Sequence, residues 1–240
     1  MKNLSSFLGL ALLATSVPLA HAGLQVTYSV DGGIPVICGA PVAGANPSQG
    51  CPSVIGPPLT ITLLGASSNS PGGTPSVEDS ATVNLINTTA AVHTIVINVI
   101  STDFTMPVAP PAITMLSHIG GTVAVGAVGD AGSFISCIDT TNSQIAGCSG
   151  TTINAPTIAS NQVAPGSFHG DSNTTITSLS GLFAIDEQIT LTLGALENVN
   201  FSASTTLIQT PEPMSIALLG GVLLFTTGAI RRKRKQASRV

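Results

Sequence analysis

The chain has 240 residues, of which 8% are charged and 3% are aromatic, and its formal net charge is −4. All seven Lys and Arg residues lie near the two ends, and none occurs between Ala22 and Ile230. Because phosphate neutralisation requires cationic side chains, this distribution disfavours binding of DNA, RNA or another polyanion by the central segment.

The first 22 residues have the three parts of a secretory signal peptide. Lys2 is the charged start, an apolar run follows over 7–17, and Ala20-His21-Ala22 is a small-x-small cleavage site. The apolar run is too short to cross a bilayer as a helix, and a buried N-terminal helix is the alternative interpretation. We expect cleavage after Ala22, so that the mature chain begins at Gly23.

The body of the chain, residues 23–209, is long enough for one domain with its own core. It holds every acidic residue except Glu212, which means ten Asp and Glu residues with no Lys or Arg against them. Salt bridges to Lys or Arg are therefore impossible within it. A surface that is acidic and rich in Ser and Thr suits a soluble protein in a wet matrix and attracts divalent cations.

Alternation of apolar and polar residues predicts strands in this body. The pattern occurs at 59–63, 81–85, 92–100, 189–193 and, more weakly, 201–207. Gly and Pro predict turns or loops between strands, and residues 87–91 are a candidate hairpin turn. The turn positions are 32–33, 57–58, 71–73, 110–111 and 120–121, and 40–50 and 67–76 are predicted loops.

The predicted fold class is all-β: a single antiparallel β-sandwich of up to about nine short strands, with no helix before Pro213. A flexible low-complexity region is the alternative. The abundance of Val, Ile and Leu in the body disfavours it, because disordered chains lack such residues.

The four cysteines fall into two local pairs, Cys38 with Cys51 and Cys137 with Cys148. An even count in an exported chain favours disulfides, and four cysteines allow three pairings. We predict the two local pairings. A zinc site is disfavoured because the short ligand spacings typical of zinc are missing.

No familiar catalytic motif contains the histidines of the body, His93, His118 and His169. Residues 167–171 bring Ser, His and Asp together, but a polar loop is the simpler interpretation, since triads are assembled from separate segments. Asp186 and Glu187 are the best adjacent carboxylates; they suit either a hairpin turn, which we favour, or part of a calcium site. No catalytic, cofactor-binding or metal-ligating residue is therefore predicted.

Carbohydrate chemistry is disfavoured by the scarcity of large aromatic side chains. The body has no Trp and a single Tyr, Tyr28, whereas sugar sites usually stack rings on such faces. This argues against both a glycosidase and a typical carbohydrate-binding module.

The C-terminal 31 residues, 210–240, form a three-part unit. Pro211-Glu212-Pro213 is followed by an uncharged apolar stretch at 214–230, long enough for a short transmembrane helix. A basic cluster follows directly, and positive charge beside an apolar span stays on the cytoplasmic side. Its members are Arg231, Arg232, Lys233, Arg234 and Lys235.

At these residues the chain resembles the PEP-CTERM class of exported proteins of Gram-negative bacteria. The resemblance implies processing at the C-terminal signal by exosortase, a membrane-embedded cysteine protease-transpeptidase, and an association with exopolysaccharide and biofilm matrix. The match covers about residues 210–240, and five residues beyond the basic cluster are a small departure from the pattern. It concerns sorting and leaves the role of the body open.

The sequence therefore predicts a non-catalytic cell-surface or matrix protein with no cofactor. It would cross the inner membrane, be held transiently by its C-terminal helix, and then be cleaved near Pro211-Glu212-Pro213. The alternative is a secreted hydrolase or ligand-binding protein whose site is assembled in space and is invisible in the sequence.

Overall fold

The computed structural model describes residues 23–125, 130–143, 148, 152–162 and 166–210. These residues form 14 β-strands and no helix, so the prediction of an all-β body is confirmed. The described part of the chain contains no helix that is long and apolar enough to cross a membrane. The predicted signal peptide (1–22) and the predicted sorting segment from Pro211 onward, with its span at 214–230 and basic cluster at 231–235, lie outside the described residues.

The strands make two antiparallel sheets. Sheet A has the order β10-β9-β13-β7-β1-β2, with β11 also paired to β9 and β3 to β1; sheet B has the order β12-β8-β14-β6-β5-β4. The strands of sheet A are β1 (Gly23–Val30), β2 (Val36–Ile37), β3 (Val42–Ala43), β7 (His93–Phe104), β9 (Asp130–Asp139), β10 (Thr152–Asn154), β11 (Ile158–Gln162) and β13 (Phe183–Leu193). Those of sheet B are β4 (Ser48–Cys51), β5 (Leu59–Ser68), β6 (Ser76–Asn87), β8 (Ile113–Val125), β12 (Gly166–Ile176) and β14 (Asn198–Gln209).

All five predicted strands are present, within β5, β6, β7, β13 and β14, except that Val92, the first residue of the predicted strand 92–100, precedes β7. One detail of β6 differs from the simple alternation. Asn84 has a positive φ of 52°, and the pairing of β6 with β14 shifts by one residue here, since Leu85 is opposite Val199 and Thr82 is opposite Phe201. Thr82 and Leu85, three residues apart on either side of this irregularity, are both buried.

Residues 87–91 do not form a hairpin turn. They lead from β6 in sheet B to β7 in sheet A, and these strands are not paired. The side chain of Asn87 holds the crossing by donating to the carbonyls of Ala91 (2.6 Å) and Gly194 (2.7 Å). The prediction was wrong because a turn signal does not reveal which sheet receives the next strand.

Three predicted turns or loops are strand segments instead. Gly120 and Gly121 lie within β8, where a Cβ at Gly121 would clash with the backbone O of Asn200 and come within 2.6 Å of the Phe168 ring; the glycine makes room for both. Residues 167–171 lie within β12, and Asp186 and Glu187 lie in the middle of β13. The predicted loop at 40–50 contains β3 and part of β4.

The two predicted disulfides are confirmed. Cys38 is bonded to Cys51 with a Cα–Cα distance of 4.4 Å, and Cys137 to Cys148 with one of 5.6 Å. The first ties the segment after β2 to β4, and so connects the two sheets at one edge. The second lies on β9, beside the register partner Asp186 of β13.

The core has two apolar clusters rather than one. The larger includes Leu24, Ile97 and Ile189, and the smaller includes Phe104 and Phe183, whose rings stack at 5.6 Å. Between them the inward-facing positions of both sheets are occupied by polar side chains. This polar layer is the most unusual feature of the core.

Candidate functional site

The polar layer begins as a row of five residues across sheet B, each the direct register partner of the next. The row runs Ser172, Ser117, Thr205, Glu78 and Ser68, from β12 to β5. Four of these residues are buried, and Thr205 and Glu78 have no exposed surface. Because side chains of register partners point to the same face, the row lies on the inner face of the sheet.

Hydrogen bonds join this layer to sheet A at three places. The hydroxyl groups of Ser68 and Ser101 lie 2.6 Å apart, and those of Ser117 and Ser136 are also bonded. Glu187 of β13 accepts from Thr205 Oγ1 at 2.9 Å and from Ser80 Oγ at 2.7 Å. Buried polar groups normally have such partners, and these bonds fix the two sheets relative to each other.

Glu187 is the centre of the polar layer. Burial raises its pKa to about 8, although the hydrogen bonds from Ser80 and Thr205 lower it. Only 1% of the residue is exposed. A carboxyl group in this environment keeps its proton to a much higher pH than an exposed Glu does.

Glu78 has fewer hydrogen-bond donors around its carboxyl group than Glu187 has. It has no exposed surface, and neither carboxyl oxygen has a hydrogen-bond partner of acceptable geometry among the described residues. Burial raises its pKa well above the usual value, the charges of Glu187 and Asp186 raise it further, and the nearby backbone N–H of Ser101 lowers it. An unpartnered buried carboxyl group is costly, so this one requires an explanation.

Asp186 points to the outer face of sheet A, opposite to Glu187, but it is also buried. Its register partner on β9 is Cys137, and 2% of the residue is exposed. Burial raises its pKa to about 8, and the charges of Asp139 and Glu187 add to the effect. The adjacent residues Asp186 and Glu187 therefore lie on opposite faces of sheet A.

An open groove of about 620 Å³ crosses the outer face of sheet B. Its floor is a register row of small residues, and a polar row runs beside it. The small row is Gly50, Gly65, Ala81, Ser202 and Gly120; the polar row is Ser48, Ser67, Asp79, Ser204 and His118. Strands lie about 4.8 Å apart, so each row is about 19 Å long.

The groove and the polar layer share one residue, Ser80. Its side chain bonds Glu187, and the residue also lines the groove next to Asp79. Burial raises the pKa of Asp79, and the charge of Asp79 raises the pKa of both Glu78 and Glu187. The carboxyl group of Asp79 in the groove therefore interacts electrostatically with those of Glu78 and Glu187 in the interior.

The three histidines are not gathered into one site. His118 lies in the groove and bonds Asp171 through Nδ1 at 2.7 Å, with 48% of the His118 side chain exposed. His93 bonds Asp31 at 2.6 Å and Thr89 at 2.9 Å at the far end of β7. His169 is exposed on β12, and its register partner is Gly120.

No group of three or more His, Cys, Asp and Glu residues in the described ranges is arranged to share a metal ion. Nor does any hydrogen bond join His118 to a groove serine among the contacts of the described residues. The groove is lined by a row of polar side chains, mainly hydroxyl groups and one carboxyl group, beside a floor of small residues.

Comparisons with known proteins give little further information. No family model matches the chain, and no curated protein does so. One solved structure, the enzymatically active domain of tailspike protein 4 from bacteriophage CBA120, aligns over 78% of this chain and 19% of that one. The TM-score is 0.23 and the sequence identity 6%, which is too little to support an argument about fold or function.

Proposed function

We propose that this protein is a non-catalytic surface or matrix protein that is exported, anchored briefly by a C-terminal helix, and cleaved at its Pro-Glu-Pro segment by an exosortase-type protease. One observation carries the proposal. The segment between the two predicted cleavage sites forms a disulfide-linked sandwich of described strands that ends at Gln209, just before Pro211. The predicted cleavage sites therefore flank the sandwich and interrupt no described strand.

The end of the sandwich is well fixed where the sorting segment begins. Thr210 donates to the carbonyl of Ala112 through its backbone N at 2.8 Å and through Oγ1 at 2.6 Å. Residues before a proline favour an extended conformation, so a protease acting just beyond Thr210 would meet an extended substrate next to a fixed point. Removal of the later residues would leave every described strand complete.

Two further features agree with export. Both disulfides link cysteines close in sequence, and disulfides persist in oxidising compartments outside the cytoplasm. The domain that would remain has no Lys or Arg, which suits a highly hydrated surface in a matrix. Contact with exopolysaccharide is part of the proposal through the family resemblance alone.

A variant in which Pro211, Glu212 and Pro213 are all replaced by alanine tests the proposal. We expect wild-type protein to lose its C-terminal segment and leave the membrane fraction, and the variant to stay there at full length. A matched control replaces Gln236 and Ser238 by alanine, beyond the basic cluster, and should behave as wild type. Equal release of the variant and the wild type would contradict the proposal.

The groove on sheet B favours a second candidate function, a secreted ligand-binding or hydrolytic protein. The specific observation is that His118, oriented by Asp171, lies in the same groove as Asp79. Purified protein would be screened against ester, peptide and glycan substrates, with His118→Gln as the matched variant. Turnover or binding that the substitution abolishes would support this candidate; no response in the screen would count against it.

A further inference from the structure

Two buried carboxyl groups in the interior of the sandwich have no cationic side chain of the described domain to neutralise them. Glu78 and Glu187 are at most 1% exposed, and the described domain contains no Lys or Arg. Its histidines bond Asp31 and Asp171 or lie exposed on β12. Positive charge for this pair must therefore come from solution, as protons or as a cation.

The hydrogen bonds at Glu187 favour its ionised form. Glu187 accepts hydrogen bonds at both oxygens, and a carboxyl group accepts at both oxygens without donating only when it is ionised. Neither oxygen of Glu78 has a hydrogen-bond partner of acceptable geometry among the described residues, although the backbone N–H of Ser101 lies near it. A proton neutralises the carboxyl group at one oxygen only, whereas a bound cation can contact both oxygens.

The groups around Glu78 are oxygen ligands. Its register neighbours are Ser68 and Thr205, and Thr205 and Ser80 both contact Glu187. Carboxylate and hydroxyl oxygens are hard ligands, and Ca²⁺ accepts six to eight such ligands in flexible geometry. Two ionised glutamates would also balance the double charge of the ion.

We propose that Glu78 and Glu187 bind one divalent cation of the calcium type between the two sheets, with the hydroxyl groups of Ser80 and Thr205 as further ligands. The ion joins β6 and β14 of sheet B to β13 of sheet A. This role is independent of how the protein is sorted.

The groove places a further carboxyl group close to the site. Ser80 lines the groove and bonds Glu187, and Asp79, its neighbour in the chain, also lines the groove. The charge of Asp79 acts on both Glu78 and Glu187, and it adds to the attraction of a cation to this part of the sandwich.

The expected affinity is modest. The described residues hold no group of three or more His, Cys, Asp and Glu around a shared point, so two carboxylates are the only charged ligands of this site. Sites with fewer charged ligands bind more weakly, and we expect a Kd on the order of 10⁻⁵–10⁻³ M.

The test uses protein purified from producing cells, stripped with EDTA and dialysed against radioactive CaCl2. We expect one Ca²⁺ per chain, and a Tm that rises with CaCl2 and falls again with EDTA. Absence of bound Ca²⁺ in wild-type protein, or an unchanged Tm, would overturn the proposal without any variant being needed.

Substitutions then locate the site. Glu78→Gln keeps the shape of the side chain but removes a charged ligand, and should weaken Ca²⁺ binding at least tenfold. Asp31→Asn removes an acidic charge at the far end of β7 and should leave binding unchanged. If Glu78→Gln fails to fold by near-UV circular dichroism, Ser80→Ala replaces it, with an expected loss of about threefold or more. Wild-type affinity in both Glu78→Gln and Ser80→Ala would show that the bound ion lies elsewhere.

Discussion

The pKa of a carboxyl group at a turn of this protein shifts in the opposite direction to that of a buried carboxyl group within a strand. Asp139, at the end of β9, accepts from the backbone N–H and hydroxyl groups of Thr141 and Ser143, at 2.6–3.1 Å. Although burial alone would raise its pKa, these hydrogen bonds lower it overall. Glu187, in the middle of β13, has two hydroxyl donors and a raised pKa.

The difference follows from where backbone donors are available. At a turn, N–H groups are free to point at a side chain, as Thr94 N–H does towards Asp31 at 2.9 Å. Within a strand most N–H groups are used by the sheet, so the inward carboxyl group of Glu187 accepts from hydroxyl groups instead. For Asp31, Asp139 and Glu187, the position at a turn or within a strand therefore accompanies the direction of the pKa shift.

The largest expected effect is on the pH dependence of stability. A group with a raised pKa in the folded state stabilises fully below its unfolded pKa, about 3.9 for Asp and 4.3 for Glu, and loses that contribution as pH rises to the folded pKa. For Asp186 and Glu187, both near 8, the free energy of unfolding should fall between about pH 4 and 8, by up to about 1.4 kcal/mol per unit for each group.

Urea unfolding in EDTA at half-unit pH steps measures this slope. Glu187→Gln should flatten it, because the amide does not titrate. The acids at the turns, Asp31 and Asp139, have lowered pKa values and contribute stability that is lost only as pH falls below about 4. A stability maximum near pH 7 in EDTA would mean that the interior carboxyl groups are ordinary acids.

The next effect is expected from removing the Glu187 side chain at pH 5, where it is neutral. Glu187→Ala leaves the hydroxyl groups of Ser80 and Thr205 without an acceptor and opens a cavity, and should cost about 2–4 kcal/mol. Asp171→Ala, at a side chain that is 72% exposed, should stay within about 0.5 kcal/mol. Similar losses in the two variants would show that the polar layer does not hold the sheets together.

Replacing Cys137 and Cys148 by serine should cost about 2–3 kcal/mol, because a short loop is no longer closed in the unfolded chain. The same change should also lower the pKa of Asp186, so that this residue resembles more closely the carboxyl groups at the turns. Its register partner loses the disulfide, so water reaches the carboxyl group and its pKa should fall. NMR titration of Asp186 measures the shift, and an unchanged pKa would mean that the disulfide does not shield it.

The smallest effect is expected at the surface pair of Asp31 and His93, 2.6 Å apart. Asp31→Asn removes the charge of a half-exposed carboxylate, and exposed pairs contribute less than about 1 kcal/mol. The loss should be present at pH 6 and should shrink as pH falls below the ordinary pKa of Asp, about 3.9, because the pKa of Asp31 is lowered in the folded state. A loss that persists at pH 2.5 would point to packing instead of charge.

The sequence predicts the strands whose inward positions are apolar, as in β5 and β13. It fails where glycines or polar residues interrupt the pattern: in β8 the pair Gly120 and Gly121 suggests a turn although Ile119 and Val123 on either side are buried, and β12 has the composition of a polar loop. Glu78 and Asp79 are adjacent acids, and which of them faces inward depends on the register of β6 with its neighbours. That register is set by partners far away in the chain, so local patterns do not reveal the buried pair.

One signal for the polar layer is present in the sequence. Ser76, Glu78, Ser80 and Thr82 occupy every second position of β6, and all are buried. An alternation of polar residues is normally assigned to the solvent face. Only the absence of Lys and Arg hints that buried acids here would need neutralisation by other means.

The central proposal is that the sandwich is delivered outside the cell without its basic ends, and its most direct test is mass spectrometry of the protein from producing cells with and without the sorting protease. We expect a chain that begins at Gly23 in both samples and that lacks Arg231–Val240 only when the protease is present. An intact C-terminus through Val240 in both samples would contradict the proposal.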